Sequence, residues 1–158
     1  MFPSPSILSL LAALAVVSGA PAAAQNASLN PNYGTYSLSG GFTPDPGTVS
    51  VRAGGNLSAR NAGSHCTGFI TEAPDVRLNF SPGSLPLILS VFSNADTSLI
   101  INAPDGRFYC DDDGGVNGLN PAIRFNRPMA GRYEIWIGTY RSGQTQAATL
   151  HISEVTSQ

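Results

Sequence analysis

From Thr48 onward the apolar residues of this chain recur at alternate positions in short runs: Val49 with Val51, Val76 with Leu78 and Phe80, Leu87 with Leu89 and Val91, Leu99 with Ile101, Ile123 with Phe125, Tyr133 with Ile135 and Ile137, and Leu150 with Ile152. A period of two sends successive side chains to opposite faces of a strand, so each run has one face for a core. Gly, Pro, Asn and Asp, which turn the chain, stand between the runs. Beyond residue 25 no stretch carries the 3.6-residue period of an amphipathic helix. The pattern predicts an all-β fold, a single antiparallel β-sandwich. Its strands are expected over residues 33–42, 48–53, 68–71, 76–80, 85–92, 98–103, 107–110, 122–125, 131–140 and 147–153.

Two turns are well specified. In "APDGRF", Pro104 presets φ and Gly106 admits positive φ, so the strand ending before Pro104 is expected to pair antiparallel with 107–110. "YRSGQT" around Gly143 carries the same signal, and 131–140 is expected to pair with 147–153.

The N-terminus changes the compartment. An apolar run from Ile7 to Val17, too short for a membrane span, precedes small residues and Ala22-Ala23-Ala24. It reads as a secretory signal peptide over residues 1–24, on its apolar core and cleavage site, since no basic residue precedes the run. Residues 25–32 are polar and turn-prone, a flexible leader, and 33–158 form one domain with a core of its own. The protein is thus expected in the periplasm or secreted. Net charge is −2 and all eight basic residues are Arg, spread thinly. No basic stripe exists to neutralise phosphates, which excludes nucleic acid as a partner class, and no later run is long enough to span a membrane.

Two cysteines in an exported chain favour pairing. Cys66 and Cys110 are expected to form a disulfide; a metal pair lacks the usual spacing, and His65 and His151 are the only histidines.

Candidate chemistry centres on "FYCDDDGGVNGLNP". In an extended run Asp111 and Asp113 project to one side with Cα atoms about 6.6 Å apart, and adjacent carboxylates repel unless solvated or bridged by a cation. Calcium takes six to eight oxygens. Two readings stay open: a calcium loop built from Asp111, Asp112 and Asp113 with Asp96 or Asp105, helped by Asn117 and Asn120, and a solvated acidic loop. An EF-hand is excluded because Gly114 and Gly115 break its register and Ala122 stands where its Glu would. "GSHC" and "DDDGGV" resemble the histidine and serine motifs of trypsin-like peptidases, but Asp113 occupies the nucleophile's place and a carboxylate there cannot be activated as a serine hydroxyl is. A secreted hydrolase is therefore the alternative to a non-enzymatic module. On "GRYEIWIGTY", Trp136 and Tyr140 share parity with Arg132 and Glu134, opposite the expected core face. Exposed aromatics beside an Arg make a ligand surface; the other reading caps Trp136 at an edge or under a loop.

From about residue 87 to 152 the order of fragments resembles the bacterial pre-peptidase C-terminal (PPC) domain family: Asp96-Thr97-Ser98-Leu99, Pro104-Asp105-Gly106, Asp111-Asp112-Asp113, Gly131 to Ile137 and Leu150-His151-Ile152. The resemblance implies a jelly-roll-like sandwich that accompanies exported peptidases, binds calcium or substrate in some members, and is not catalytic. The cysteine pair departs from the general pattern. The expectation is an exported, non-catalytic binding or accessory module for an extracytoplasmic protein or polymer, stabilised by Ca2+ if the acidic stretch holds one.

Overall fold

Alternation along the chain is realised as two sheets laid face to face. The computed structural model describes residues 24–158; the expected signal peptide lies almost wholly outside them. Eleven strands follow in order: β1 Thr35–Ser39, β2 Gly47–Ala53, β3 Leu57–Ser58, β4 Phe69–Ile70, β5 Val76–Ser81, β6 Leu87–Phe92, β7 Thr97–Asn102, β8 Phe108–Asp111, β9 Ala122–Phe125, β10 Gly131–Thr139 and β11 Gln146–Ser153. A single 3-10 turn, Ala59–Asn61, follows β3 and is capped by the Ser58 hydroxyl. Among the described residues no helix is long and apolar enough to cross a membrane.

One sheet has the order β2-β11-β6-β9; the other is built on β5-β10-β7-β8, with β1 added beside β5 and the short β4 and β3 continuing beside β10. This is the double-sheet jelly-roll order. Consecutive strands mostly alternate between the sheets, and the β7–β8 hairpin at Pro104–Gly106 is the expected exception, with Leu99 opposite Asp111 and Asn102 opposite Phe108. Between the sheets the core holds Val49, Leu78, Leu89, Leu99, Ile135 and Leu150 among others, the inward set that alternation picks out. Each such side chain contributes about 1.5 to 3 kcal/mol by leaving water.

Two expectations need correction, and the leader has contacts of its own. The strands at 131–140 and 147–153 do not form a hairpin: β10 already has β5 and β4 along one edge and β7 along the other, so β11 crosses to the second sheet and inserts between β2 and β6. The turn at Gly143 reverses the chain without pairing its flanks in one sheet. The sandwich is also not wholly antiparallel, because β1 runs parallel to β5, from Thr35 opposite Arg77 to Ser39 opposite Ser81. That pairing follows from the route: the chain leaves β1, crosses through β2 in the other sheet, and returns to β5. Finally, the polar leader is hydrogen-bonded along the 72–75 segment, with Asn26 N donating to Glu72 O at 2.7 Å, Asn32 N to Pro74 O at 2.8 Å and Tyr33 N to Asp75 O at 2.8 Å.

Candidate functional site

Strand β10 carries most of the residues that matter here, and its two faces are not equivalent. Tyr133, Ile135 and Ile137 enter the main core. Trp136, outward by parity, is also fully buried, which removes it from an open ligand surface and bears out the other reading, a tryptophan under a loop. It sits in a second apolar cluster with Ile70, Ile100, Ala59 and Cys66, against which Phe108 and Cys110 pack. The cover is the excursion between β2 and β5, which folds back over the outer face of the sheet. Trp136 Nε1 donates to Glu72 O at 3.4 Å, and its ring lies 6.2 Å from that of Phe108. Gly138, two residues on, comes so close to Ser98 Oγ that any side chain there would collide with it.

The disulfide pins this cover. Cys66 and Cys110 are joined as expected, with Cα atoms 5.2 Å apart, tying the excursion to β8. His65 lies beside them, with a ring nitrogen within 4.8 Å of both sulfurs. A metal there would need thiolates, and both sulfurs are already bonded to each other. The two peptidase-like fragments thus flank one structural disulfide within a single sandwich.

Asp75, at the entry to β5, is buried where the excursion rejoins the sheet. Its Oδ2 accepts from Ile137 N at 2.7 Å and its Oδ1 from Asn32 Nδ2 at 3.3 Å. Burial pushes its pKa up to about 7, against the opposing pull of those two hydrogen bonds. Alternation gives no hint of it, because it precedes the strand.

The acidic stretch divides. Asp111 Oδ2 accepts from Gly114 N at 2.8 Å and Ala122 N at 2.9 Å, closing the loop on itself. Gly114 lets the carboxylate in, since a Cβ there would come within 2.6 Å of that oxygen and push the Asp111 side chain aside. Asp112 Oδ2 accepts from Thr67 Oγ1 at 3.1 Å, and Asp113 is exposed. Asp96 is brought near both: burial first, then the charges of Asp113 and Asp112, raise its pKa above the ordinary carboxylate value. Asp105 is elsewhere, at the tip of the β7–β8 hairpin, accepting from Arg107 N and Tyr109 Oη, each at 3.0 Å. The first of these contacts is the main cause of its lowered pKa. Asn117 is exposed in the loop, whereas Asn120 is buried and occupied, accepting from Thr97 Oγ1 at 2.7 Å and donating to Ser93 O at 2.8 Å.

Tyr140 and Arg132, grouped by parity, stand at opposite ends of β10. Tyr140 is 68% exposed immediately after seven buried residues. It lies between two clefts, one of about 260 Å³ lined by Ser58, Arg60, Thr67 and Phe69, the other of about 140 Å³ lined by Asp96, Arg141 and Gln144. Sequence reasoning missed Arg60, Thr67 and Arg141, which are distant in the chain and carry no motif. The acidic group and Tyr140 thus share one end of the sandwich, through Asp96 in one cleft and Thr67 in the other.

No family model matches the sequence and no curated protein matches it. Among solved structures, the crystal structure of Aeromonas hydrophila PliG, a periplasmic lysozyme inhibitor of g-type lysozyme, is similar at a TM-score of 0.38 and 11% sequence identity, over 75% of this chain and 96% of that chain.

Proposed function

We propose that this chain is an exported, non-catalytic binding module that engages an extracytoplasmic protein or polymer through the end of the sandwich bearing Tyr140. The observation that carries the reading is an exposed tyrosine at the end of a buried strand, between two clefts that contribute Arg60 and Arg141. Aromatic and Arg side chains supply large contact area with polar tips, the chemistry of interface anchors. The disulfide suits an oxidising compartment, and the apolar run at Ile7 to Val17 supports export. The PPC-like fragments, which fall in order from the start of β7 to β11, support an accessory role. Calcium would stabilise the same end through Asp96, Asp112 and Asp113, relieving the repulsion that adds to burial in raising Asp96.

The test compares retention of envelope proteins and polymers on immobilised wild-type protein and on Tyr140→Ala and Arg60→Ala. A ligand that both variants lose at least tenfold supports the site; a ligand held equally by all three removes it. Melting in EDTA and then in excess calcium decides the ion, with a rise expected for wild type and none for Asp112→Asn with Asp113→Asn. Hydrolysis of casein or a simple ester by the purified protein, lost on His65→Ala, would establish the enzymatic alternative instead.

A further inference from the structure

The half of the outer sheet face that the excursion leaves open has its own order. Pairing sets Ser37 on β1, Asn79 on β5 and Arg132 on β10 side by side in one row across the sheet. With Ser39 and Ser81 they line a cleft of about 480 Å³. A second cleft of about 370 Å³ shares Gly131 and Arg132 and continues to Asn102 and Gly106 on the β7–β8 hairpin. From β1 to β7 the two together cross three inter-strand spacings, about 14 Å.

Charge is not balanced in this trough. Arg77 Nε and Arg132 Nε both donate to Glu134 Oε1, at 2.6 and 2.9 Å. Two guanidinium groups therefore share one carboxylate, and one positive charge is left over. Arg77 is largely buried, and its Nη2 is occupied by Leu29 O at 2.8 Å and Ala27 O at 3.2 Å. The surplus falls on Arg132, whose side chain is 54% exposed and reaches Glu134 through Nε. Asp105 on the adjoining hairpin is engaged by Arg107 and Tyr109 rather than by Arg132.

We propose that this trough binds an acidic polysaccharide, with Arg132 receiving a carboxylate and the Ser and Asn side chains receiving sugar hydroxyls. A guanidinium presents a planar fork that fits a carboxylate, and hydroxyl and amide groups both donate and accept, as a hydroxyl-rich polymer requires. A folded protein partner fits less well. Leu38 and Phe80, the large apolar residues at the trough, pack toward the core, so no anchor pocket opens there. The site is separate from the Tyr140 end, at the other end of β10.

The experiment is calorimetric titration of the full domain with galacturonic acid hexamer, with the monomer and with maltohexaose. The hexamer is expected to bind, at least tenfold more weakly to Arg132→Gln and Asn79→Asp, and more weakly as salt rises, while Arg124→Gln, exposed on β9 in the other sheet, binds as wild type does; Tyr140→Ala is titrated alongside to tell the two ends apart. Asn79→Asp places a negative charge in the trough and keeps the test decisive should Arg132→Gln fold poorly. The proposal is overturned if the hexamer does not bind, if either folded variant binds it as wild type does, if maltohexaose binds equally, or if the monomer binds as tightly as the hexamer. Loss on Tyr140→Ala alone would move glycan binding to the other end and equally remove this site.

Discussion

Along the outward side of β10, Trp136 and Arg132 differ by four residues, share parity, and live in opposite environments. Trp136 is sealed beneath the excursion, in an apolar cluster tied down by a disulfide. Arg132 is open to solvent over a polar trough. Between them Glu134 is buried yet ion-paired with Arg132 and with Arg77, which in turn holds the leader. Parity decides which side of a sheet a residue takes. Whether that side meets water depends on chain that lies elsewhere in the sequence, here residues 54–74.

The largest expected effect comes from unsealing the covered half. Replacing both cysteines by alanine releases the excursion from β8 and frees a loop closed over 44 residues, for an expected loss of about 4 kcal/mol in the chain-entropy account. The same change should let water reach Trp136. Denaturant melting is expected to show the loss, and tryptophan emission a red shift before global unfolding. Unchanged emission and an unchanged midpoint would mean that packing around Ile70 and Ile100 alone holds the cover.

The contrast between these halves also marks where the sequence was legible. Ten of the eleven strands were readable, most of them because period-two runs bounded by turn residues are a local signal, and the inward set they gave lies in or against the observed core. β3 has no apolar pair to mark it, since two residues, Leu57–Ser58, make no period; β4 is as short, and only its adjacent Phe69 and Ile70 after Gly68 signal it. The supposed hairpin of β10 with β11 failed for a different reason: a glycine turn fixes where the chain reverses, while the sheet it enters depends on which edges are free, and β10 has none. At the candidate site, Tyr140 lies outside as parity expects, and of the two places open to Trp136 the structure takes the one under a loop, whose residues 57–70 parity along β10 does not reveal. The acidic stretch was read as a unit. Backbone amides claim Asp111, the hairpin claims Asp105, and Asp96, Asp112 and Asp113 remain together.

Asp75 sharpens the comparison, since it fastens the sealed half through Ile137 and, via Asn32, the leader. Its pKa is raised from 3.8 to about 7. Below about pH 3.8 the carboxyl is protonated whether the chain is folded or not. Between there and about 7 the unfolded chain releases its proton while the folded one keeps it, so this residue makes stability fall as pH rises and level off above about 7. The span of roughly 3 pH units corresponds to about 4 kcal/mol at most. Asp75→Asn keeps an acceptor for Ile137 N and carries no charge, so it is expected to be more stable than wild type at pH 8 and to remove this pH-dependent part. Melting curves of both proteins at pH 5 and pH 8 check it; equal slopes would assign the pH dependence to other groups.

The smallest expected effect lies in the open half. Arg132 is more than half exposed, and its pair with Glu134 duplicates one that Arg77 already makes at shorter range. Removing it leaves Glu134 ion-paired and the leader attached, and exposed pairs are generally worth less than 1 kcal/mol. Arg132→Gln is therefore expected to melt within a few degrees of wild type. Arg77→Gln, which strips the buried carboxylate of its closer partner and frees Leu29 O, is expected to lose clearly more. If the two variants melt alike, Glu134 does not distinguish its partners and Arg132 is structural. If Arg132→Gln alone is nearly silent, the exposed guanidinium is spare charge, held in place by a core that does not depend on it.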